Sequence, residues 1–246
     1  MRWSRVREIF RKDFEELRGN RTVFLSLFAL PALLLFEGIA FTLGRAASLS
    51  PGTPGAGASL LQGSALSLDL LLLVPPLTAI TIGSTSIVQE KTTRTLEPLL
   101  ATPISDRELL LGKSLTPLVP GVVAVWACYA VLFGVVDAVG WHLTQTLLLP
   151  TPSALFQMLV EAPLLGIVGT FSILAISSWA KDARAAQQIG TVVVLPILVG
   201  ILLFFLVFPS PEGEAAFTVL LALAAYLLLR VALRKFDRPS ILVSWR

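Results

Sequence analysis

The chain has 246 residues, of which 55% are apolar and only 14% are charged, and its net charge is +3. A soluble domain usually carries about 25% charged residues, so this composition excludes an ordinary water-soluble enzyme and favours a membrane protein. The small basic excess does not require a nucleic-acid partner.

The first 22 residues are polar but carry an apolar stripe. Residues that recur at every third or fourth position share one helical face: Trp3, Val6, Phe10, Phe14 and Leu17. Such a helix lies in the membrane interface, with its basic side chains toward anionic lipid headgroups. We therefore predict an amphipathic interfacial helix over 1–22, which is too long and too acidic for a signal peptide. We expect this helix either to act only as an anchor in the membrane interface or also to pack against a cytoplasmic partner.

Six apolar runs follow, and each is long enough to cross a bilayer core, which requires roughly 20 residues per helix. The runs are continuous, whereas a barrel strand alternates between apolar and polar residues. They lie at about 23–43, 66–88, 114–136, 157–178, 189–208 and 215–233. We predict one all-α membrane domain over 23–246, with six transmembrane helices and short loops.

The positions of lysine and arginine predict the orientation of these helices. All but one of the 19 basic residues fall in the two ends of the chain and in the loops 89–113 and 179–188. The exception is Arg45, in the glycine- and proline-rich first outer loop, 45–59. Because basic loops stay on the cytoplasmic side, we predict a multi-pass protein of the cytoplasmic membrane with both termini inside.

Two residues that often carry chemistry occur only once each. Cys128 lies inside the third run, where a packing role is expected, because one thiol can form neither an intrachain disulfide nor a thiolate metal site. His142 follows that run, and we predict that it lies in a loop near the membrane surface.

Residues Gly112, Lys113 and Ser114 resemble the end of a phosphate-binding loop. That loop also needs a glycine five residues before the second one, and Arg107 occupies this position. Ser105 and Glu108 form a capping-box pattern, which predicts a helix through this segment instead. We expect no nucleotide site here, and we expect Lys113 to mark the cytoplasmic edge of the third span.

The loop before this helix has a pattern of its own. Leu96, Leu99 and Leu100 share a helical face, Thr92 or Thr93 can cap its start, and Pro103 ends it. The loop therefore reads as a short amphipathic helix between two spans, and an exposed apolar helix of this kind needs a partner.

The same segment, QEKTTRTLEPLLATPISDRELLLGK, resembles the signature of ABC-2 type transporter permeases, T-L-E-x-L-L-x-T-P-[IV]-S followed by R-x-E-L-[LV]-x-[GA]-K. A second stretch, SSWAKDARAAQQIGTVVVLP at 177–196, resembles the fourth-to-fifth turn of that family. The resemblance implies a cytoplasmic coupling helix between spans 2 and 3 that docks into a cleft on a separate ATPase. The residues that it assigns to this contact are Glu90, Thr95, Leu96, Glu97, Leu99, Leu100, Thr102, Pro103 and Ile104.

The family resemblance also implies partners. An ABC-2 exporter of the bacterial type contains two permease subunits, here expected as a homodimer in lipid, and two ABC ATPase subunits. ATP and magnesium then bind to the ATPases, and this chain binds no cofactor and is not itself an enzyme. Well-studied members have two re-entrant outer helices before the sixth span, but the connection at 209–214 leaves no room for them.

Three acids lie in or near the apolar runs. Glu37 is deep in the first span, where a charge costs roughly 2.5–3.5 kcal/mol on insertion scales. We therefore expect it at a substrate path or gate, or in a structural hydrogen bond. Asp69 is expected near the outer start of the second span and Glu161 near the start of the fourth, where both would be interfacial.

Two other functions are compatible with the residues. An ion-coupled secondary carrier that uses Glu37 would work without an ATPase and would often show repeated halves, which the sequence lacks. A non-transporting membrane assembly protein would lack a wet central path. Transport by an ATP-driven exporter is the leading hypothesis, and its cargo cannot be identified from these residues.

Overall fold

The structure is a computed structural model that describes residues 2–92, 105–179, 183–207 and 210–235. Every regular element in these ranges is helical. The α-helices are α1 (Trp3–Gly19), α2 (Arg21–Ala47), α3 (Ala56–Leu71), α4 (Val74–Thr92), α5 (Asp106–Thr144), α6 (Pro152–Phe156), α7 (Ala162–Trp179), α8 (Ala183–Val207) and α9 (Pro211–Lys235). A π-helical turn, Gln157–Glu161, joins α6 to α7 without a break.

Among the described residues, five segments are long and apolar enough to cross a membrane. They are Arg21–Ala47, Ala56–Ser84, Arg107–Thr144, Pro152–Ser177 and Glu212–Ala232. The all-helical membrane class that composition predicted is therefore confirmed. The remaining predicted run, 189–208, overlaps α8, which is a continuous helix but is not one of these five segments. Six spans remain a prediction.

Local sequence signals explain where several helices begin. The Asn20 side chain accepts a hydrogen bond from the Val23 amide at 3.4 Å, so α2 starts immediately after α1 ends. Thr151 accepts one from the Ala154 amide at 3.2 Å, and Pro152 occupies the first turn of α6, where its missing N–H is not needed. Such caps satisfy amide groups that have no partner inside the helix.

The spans differ in length from the apolar runs. Helix α5 has 39 residues, because it extends the run 114–136 in both directions. His142 accordingly lies in the last turn of α5 and not in a loop, so that prediction was wrong. The outer loop predicted at 45–59 is shorter, since α2 continues to Ala47 and α3 begins at Ala56. Only residues 208–210 separate α8 from α9, which is too few for a helical hairpin.

Glycines allow the central helices to approach each other closely. A Cβ atom built on Gly169 of α7 would lie 2.6 Å from the Cα atom of Pro76 in α4. One built on Gly83 would lie 2.5 Å from the Cγ2 atom of Ile173. Small residues at such crossings are typical of helix packing in lipid, where dispersion contacts replace the hydrophobic effect. Cys128 is buried in the same core, as predicted.

Helix α1 packs against the bundle through a face that overlaps the predicted stripe and is rotated from it. Its buried residues are Val6, Ile9, Asp13 and Leu17. Trp3, which was predicted on the apolar stripe, is 70% exposed. The stripe was read from large apolar residues alone, but packing selected a face that also contains an acid.

Candidate coupling site

Of the predicted coupling residues, only Glu90 belongs to the described part of the chain. Residues Thr95 to Ile104 lie outside the described part of the chain, so their predicted helix and its contacts are not tested. Glu90 belongs to the last turns of α4, which ends at Thr92. The described chain resumes at Ser105. The contacts made by the residues that follow Ser105 are therefore the first that a displacement of the loop would affect.

A complete capping box begins α5. The Ser105 Oγ atom accepts a hydrogen bond from the Glu108 amide at 3.3 Å, and the Glu108 Oε2 atom accepts one from the Ser105 amide at 3.1 Å. The predicted capping box is therefore confirmed. Because Ser105 directly follows Ile104, the predicted coupling segment leads directly into the capped first turn of α5.

Glu108 also binds the beginning of α1. Its Oε1 atom accepts a hydrogen bond from the Arg2 amide at 2.7 Å, and its Oε2 atom lies 3.6 Å from the Arg5 guanidinium. The carboxylate is buried between the two helices, and charge-assisted hydrogen bonds are roughly twice as strong as neutral ones. One side chain thus joins the first residues of α1 to the first turn of α5.

The GKS segment forms a second connection one turn further along α5. A Cβ atom on Gly112 would lie 2.7 Å from the Cγ2 atom of Ile9, so glycine is needed for this close approach. The Lys113 Nζ atom lies 3.5 Å from the Asp13 Oδ2 atom, and the two side chains are only 2% and 4% exposed. Ser114 donates to the Leu111 carbonyl within its own helix.

These contacts account for the GKS-like residues without a phosphate. The helix predicted through them is confirmed, because Gly112 to Ser114 lie inside α5. The Lys113 ammonium group is buried against α1, and its place at the cytoplasmic edge of the third span stays a prediction. Sequence reasoning missed Asp13, although one signal was present: Val6, Ile9, Asp13 and Leu17 are spaced by three or four residues.

The three predicted membrane acids occupy different places. Glu37 on α2 is half-buried, and its Oε2 atom is buried without a hydrogen-bond partner. Asp69 on α3 accepts a hydrogen bond from the Gln157 amide group at 2.9 Å. Glu161 is completely buried and accepts one from the Thr218 hydroxyl at 2.7 Å. Glu37 therefore does not belong to the same group as the other two, and its role at a path or gate stays a prediction.

A family model described as ABC-2 family transporter protein matches residues 7–228 of the chain. The chain belongs to this family. The match covers nearly all described helices and both segments that carried the sequence resemblance, and it includes the contact between Asp13 and Lys113. A comparison with curated proteins gives no match.

Membership of the ABC-2 family defines the class of function. Members are membrane components of transporters, they have no nucleotide site of their own, and they generally pair with an ABC ATPase. For this ABC-2 protein, the five candidate spans agree with a multi-pass position in a membrane. The contacts of Glu108 and Lys113 connect the start of α5 with α1, which is not one of the five candidate spans.

Proposed function

We propose that this chain is the permease subunit of an ATP-driven exporter, and that residues 95–104 dock on a separate ATPase. The observation that carries the proposal is the family match, because it spans the loop together with the helices on both sides of it. In the complete transporter, two copies of the chain pair with two ATPases, which hold ATP and magnesium. The subunit lies in the cytoplasmic membrane with both termini inside.

The contacts of Glu108 and Lys113 with α1, which we call the joint between α1 and α5, offer a path for force from one helix to the other. A displacement of Ile104 pulls directly on the cap of α5, and Glu108 passes the same displacement to α1. The buried pair of Lys113 and Asp13 would resist sliding of α5 past α1, because separating the two groups would leave buried charges apart. Closure of the ATPases would then tilt α1 and α5 as one unit, and ATP binding would favour one access state through its differential affinity.

Introducing one charged residue into the loop tests whether residues 95–104 dock on the ATPase. Leu99→Asp removes an apolar contact and places an unpaired charge in the docking cleft, and fully burying a leucine is worth roughly 1.5–3 kcal/mol. Assembly with the ATPase is expected to weaken about tenfold or more, since about 1.4 kcal/mol corresponds to a factor of ten. The measurement is ATPase co-purification from membranes, together with transport by the reconstituted complex.

A matched control uses Leu147→Asp, because Leu147 is 70% exposed in the connection that follows α5 at the other end of the bundle. This variant should co-purify with the ATPase as the unmodified chain does. If Leu99→Asp retains both ATPase binding and transport, residues 95–104 are not the docking element. If the purified chain transports without any ATPase, the ion-coupled carrier replaces the proposed function.

The orientation is tested by labelling single cysteines. In a Cys128→Ala background, Thr53→Cys places a thiol in the exposed connection between α2 and α3, and Ser4→Cys places one on exposed α1. A membrane-impermeant maleimide added to intact cells should label position 53 and not position 4. Labelling of position 4 alone would contradict the proposed orientation. The loop 89–113 would then lie on the side of the membrane opposite to the ATPase.

A further inference from the structure

One of the five candidate spans is interrupted near its middle. The apolar segment Ala56–Ser84 is long enough to cross a membrane, but α3 ends at Leu71 and α4 begins only at Val74. Between the two helices, the Leu72 amide donates to the Asp69 carbonyl at 3.2 Å. This bond reaches back three residues instead of the four of an α-helix, so the regular ladder stops here.

Two adjacent prolines at the start of α4 explain the interruption. Pro75 and Pro76 have no amide hydrogen, so the carbonyls of Leu71 and Leu72 lack the donors that a continuous helix would supply four residues further on. In α2, α5 and α8, prolines that are not adjacent to each other leave the helix continuous. The residues 71–76 are buried apart from the half-buried Leu73, so the break is enclosed by protein, where irregular backbone is tolerated in a membrane.

A tyrosine of α5 holds the end of α3 beside the break. The Tyr129 hydroxyl donates to the Leu68 carbonyl at 2.9 Å, and the side chain is completely buried. Its ring packs edge-to-face on Phe133 of the same helix, with the ring centroids 5.7 Å apart. Because a buried hydroxyl that loses its partner is costly, this bond favours one position of α3 relative to α5.

The two halves of the interrupted span pack against different neighbours. Helix α3 packs chiefly on α2, where a Cβ atom built on Gly63 would lie 3.2 Å from the Cγ atom of Arg45. Helix α4 packs chiefly on α7, where Gly169 lies directly against Pro76. The break therefore joins two pairs of helices, and α5 contacts both halves.

We propose that the break between α3 and α4 is a hinge, at which α3 turns relative to α4 and α7, and that the bond from Tyr129 holds one of its two positions. Hinges are usually a few residues at the ends of elements that absorb a change in backbone angles. Bending here breaks fewer hydrogen bonds than bending a continuous helix would, because Pro75 and Pro76 have already removed two donors. The hinge rests on the proposed function, since alternating access needs a span that changes its angle.

A cavity of about 180 Å³ lies beside the hinge. Leu68 and Asp69, in the last turn of α3, form part of its wall, and residues between 149 and 157 form another part. The Asp69 Oδ1 atom accepts a hydrogen bond from the Gln157 amide group at 2.9 Å, which ties α3 to the π-helical turn. A turn of α3 would therefore change the width of this cavity and exchange that hydrogen bond.

Hydrogen exchange of the purified full chain in detergent tests the hinge without the ATPase. The double variant Pro75→Ala, Pro76→Ala restores two amide donors and keeps the Cα and Cβ atoms of residue 76 that Gly169 contacts. The amides of residues 72–77 should exchange about tenfold or more slowly than the same amides of the unmodified chain, because local opening then costs more. Tyr129→Phe keeps the ring and removes the hydroxyl, so it should accelerate their exchange several-fold.

The matched control is the double variant Pro117→Ala, Pro120→Ala. Both prolines are buried, and both lie inside the continuous helix α5. This control should leave the exchange of residues 72–77 unchanged. In the reconstituted complex, the variant of Pro75 and Pro76 should bind the ATPase as the unmodified chain does and transport about tenfold more slowly or less, whereas the control should transport normally.

Three results would overturn the hinge. One is unchanged exchange at residues 72–77 in the variant of Pro75 and Pro76, or in Tyr129→Phe if the proline variant does not fold. Another is transport by the proline variant at the unmodified rate. The last is an equal loss of transport in the α5 control. If the unmodified complex does not transport with ATP, the proposed function fails, and the exchange rates alone still decide whether the break opens.

Discussion

Lys113→Met is expected to destabilise the protein by about 3–5 kcal/mol, because it breaks a buried ion pair by removing the ammonium group beside the Asp13 carboxylate. The two side chains are 2% and 4% exposed, so water cannot replace the lost partner without opening the packing of α1 on α5. The measurement is the free energy of unfolding in mixed micelles. Limited proteolysis of α1 should accelerate in the same variant.

Two further variants separate the effect of a broken pair from a general loss of charge. The double variant Asp13→Leu, Lys113→Met should recover most of the lost stability, because apolar residues of similar size often replace a buried ion pair without cost. Arg11→Met is the surface control, since the pair that Arg11 forms with Glu15 is largely exposed and is expected to contribute little. Equal losses in Lys113→Met and Arg11→Met would contradict the importance of the buried pair.

Gly169→Ala is expected to cost about 1–3 kcal/mol, because overpacking a tight helix crossing forces the backbone to move. The added methyl group would lie 2.6 Å from the Cα atom and 2.9 Å from the Cβ atom of Pro76. Neither atom belongs to a flexible side chain, so α4 and α7 must separate. Thermal unfolding of the purified chain measures the loss.

Gly134→Ala is the control for this substitution. Gly134 also lies inside a helix, but a Cβ atom added there would meet nothing within 4 Å. Alanine has a helix propensity that is about 1 kcal/mol better than that of glycine, so this variant should unfold at the same temperature or higher. If both variants behave alike, the contact between Gly169 and Pro76 does not limit the packing.

The joint between α1 and α5 changes how the GKS segment, residues 112–114, is interpreted. The residues GKS, read alone, suggest phosphate binding, and the resemblance to ABC-2 permeases assigns the region to coupling without explaining Lys113. The structure gives each residue a physical role: Gly112 allows Ile9 to approach, and Lys113 neutralises Asp13. Stability measurements on Lys113 therefore also report how strongly α1 is held on α5.

The sequence by itself determined the class of the protein and most of its local structure. Long apolar runs predict membrane helices because lipid cannot satisfy a free backbone, and the capping box at Ser105 depends on neighbours only three residues apart. The family signature around residues 89–114 could also be read directly, since it is a contiguous pattern. Each of these signals depends on residues that are close together in the chain.

Only the tertiary structure decided which distant residues meet. Asp13 and Lys113 are 100 positions apart, and Glu161 and Thr218 are 57 apart, so no local period reveals either contact. The buried face of α1 was predicted only in part for the same reason: Val6 and Leu17 are buried, but contacts with α5 also bury Ile9 and Asp13. The packing of distant helices decided which polar groups are buried together and which of them remain without a partner.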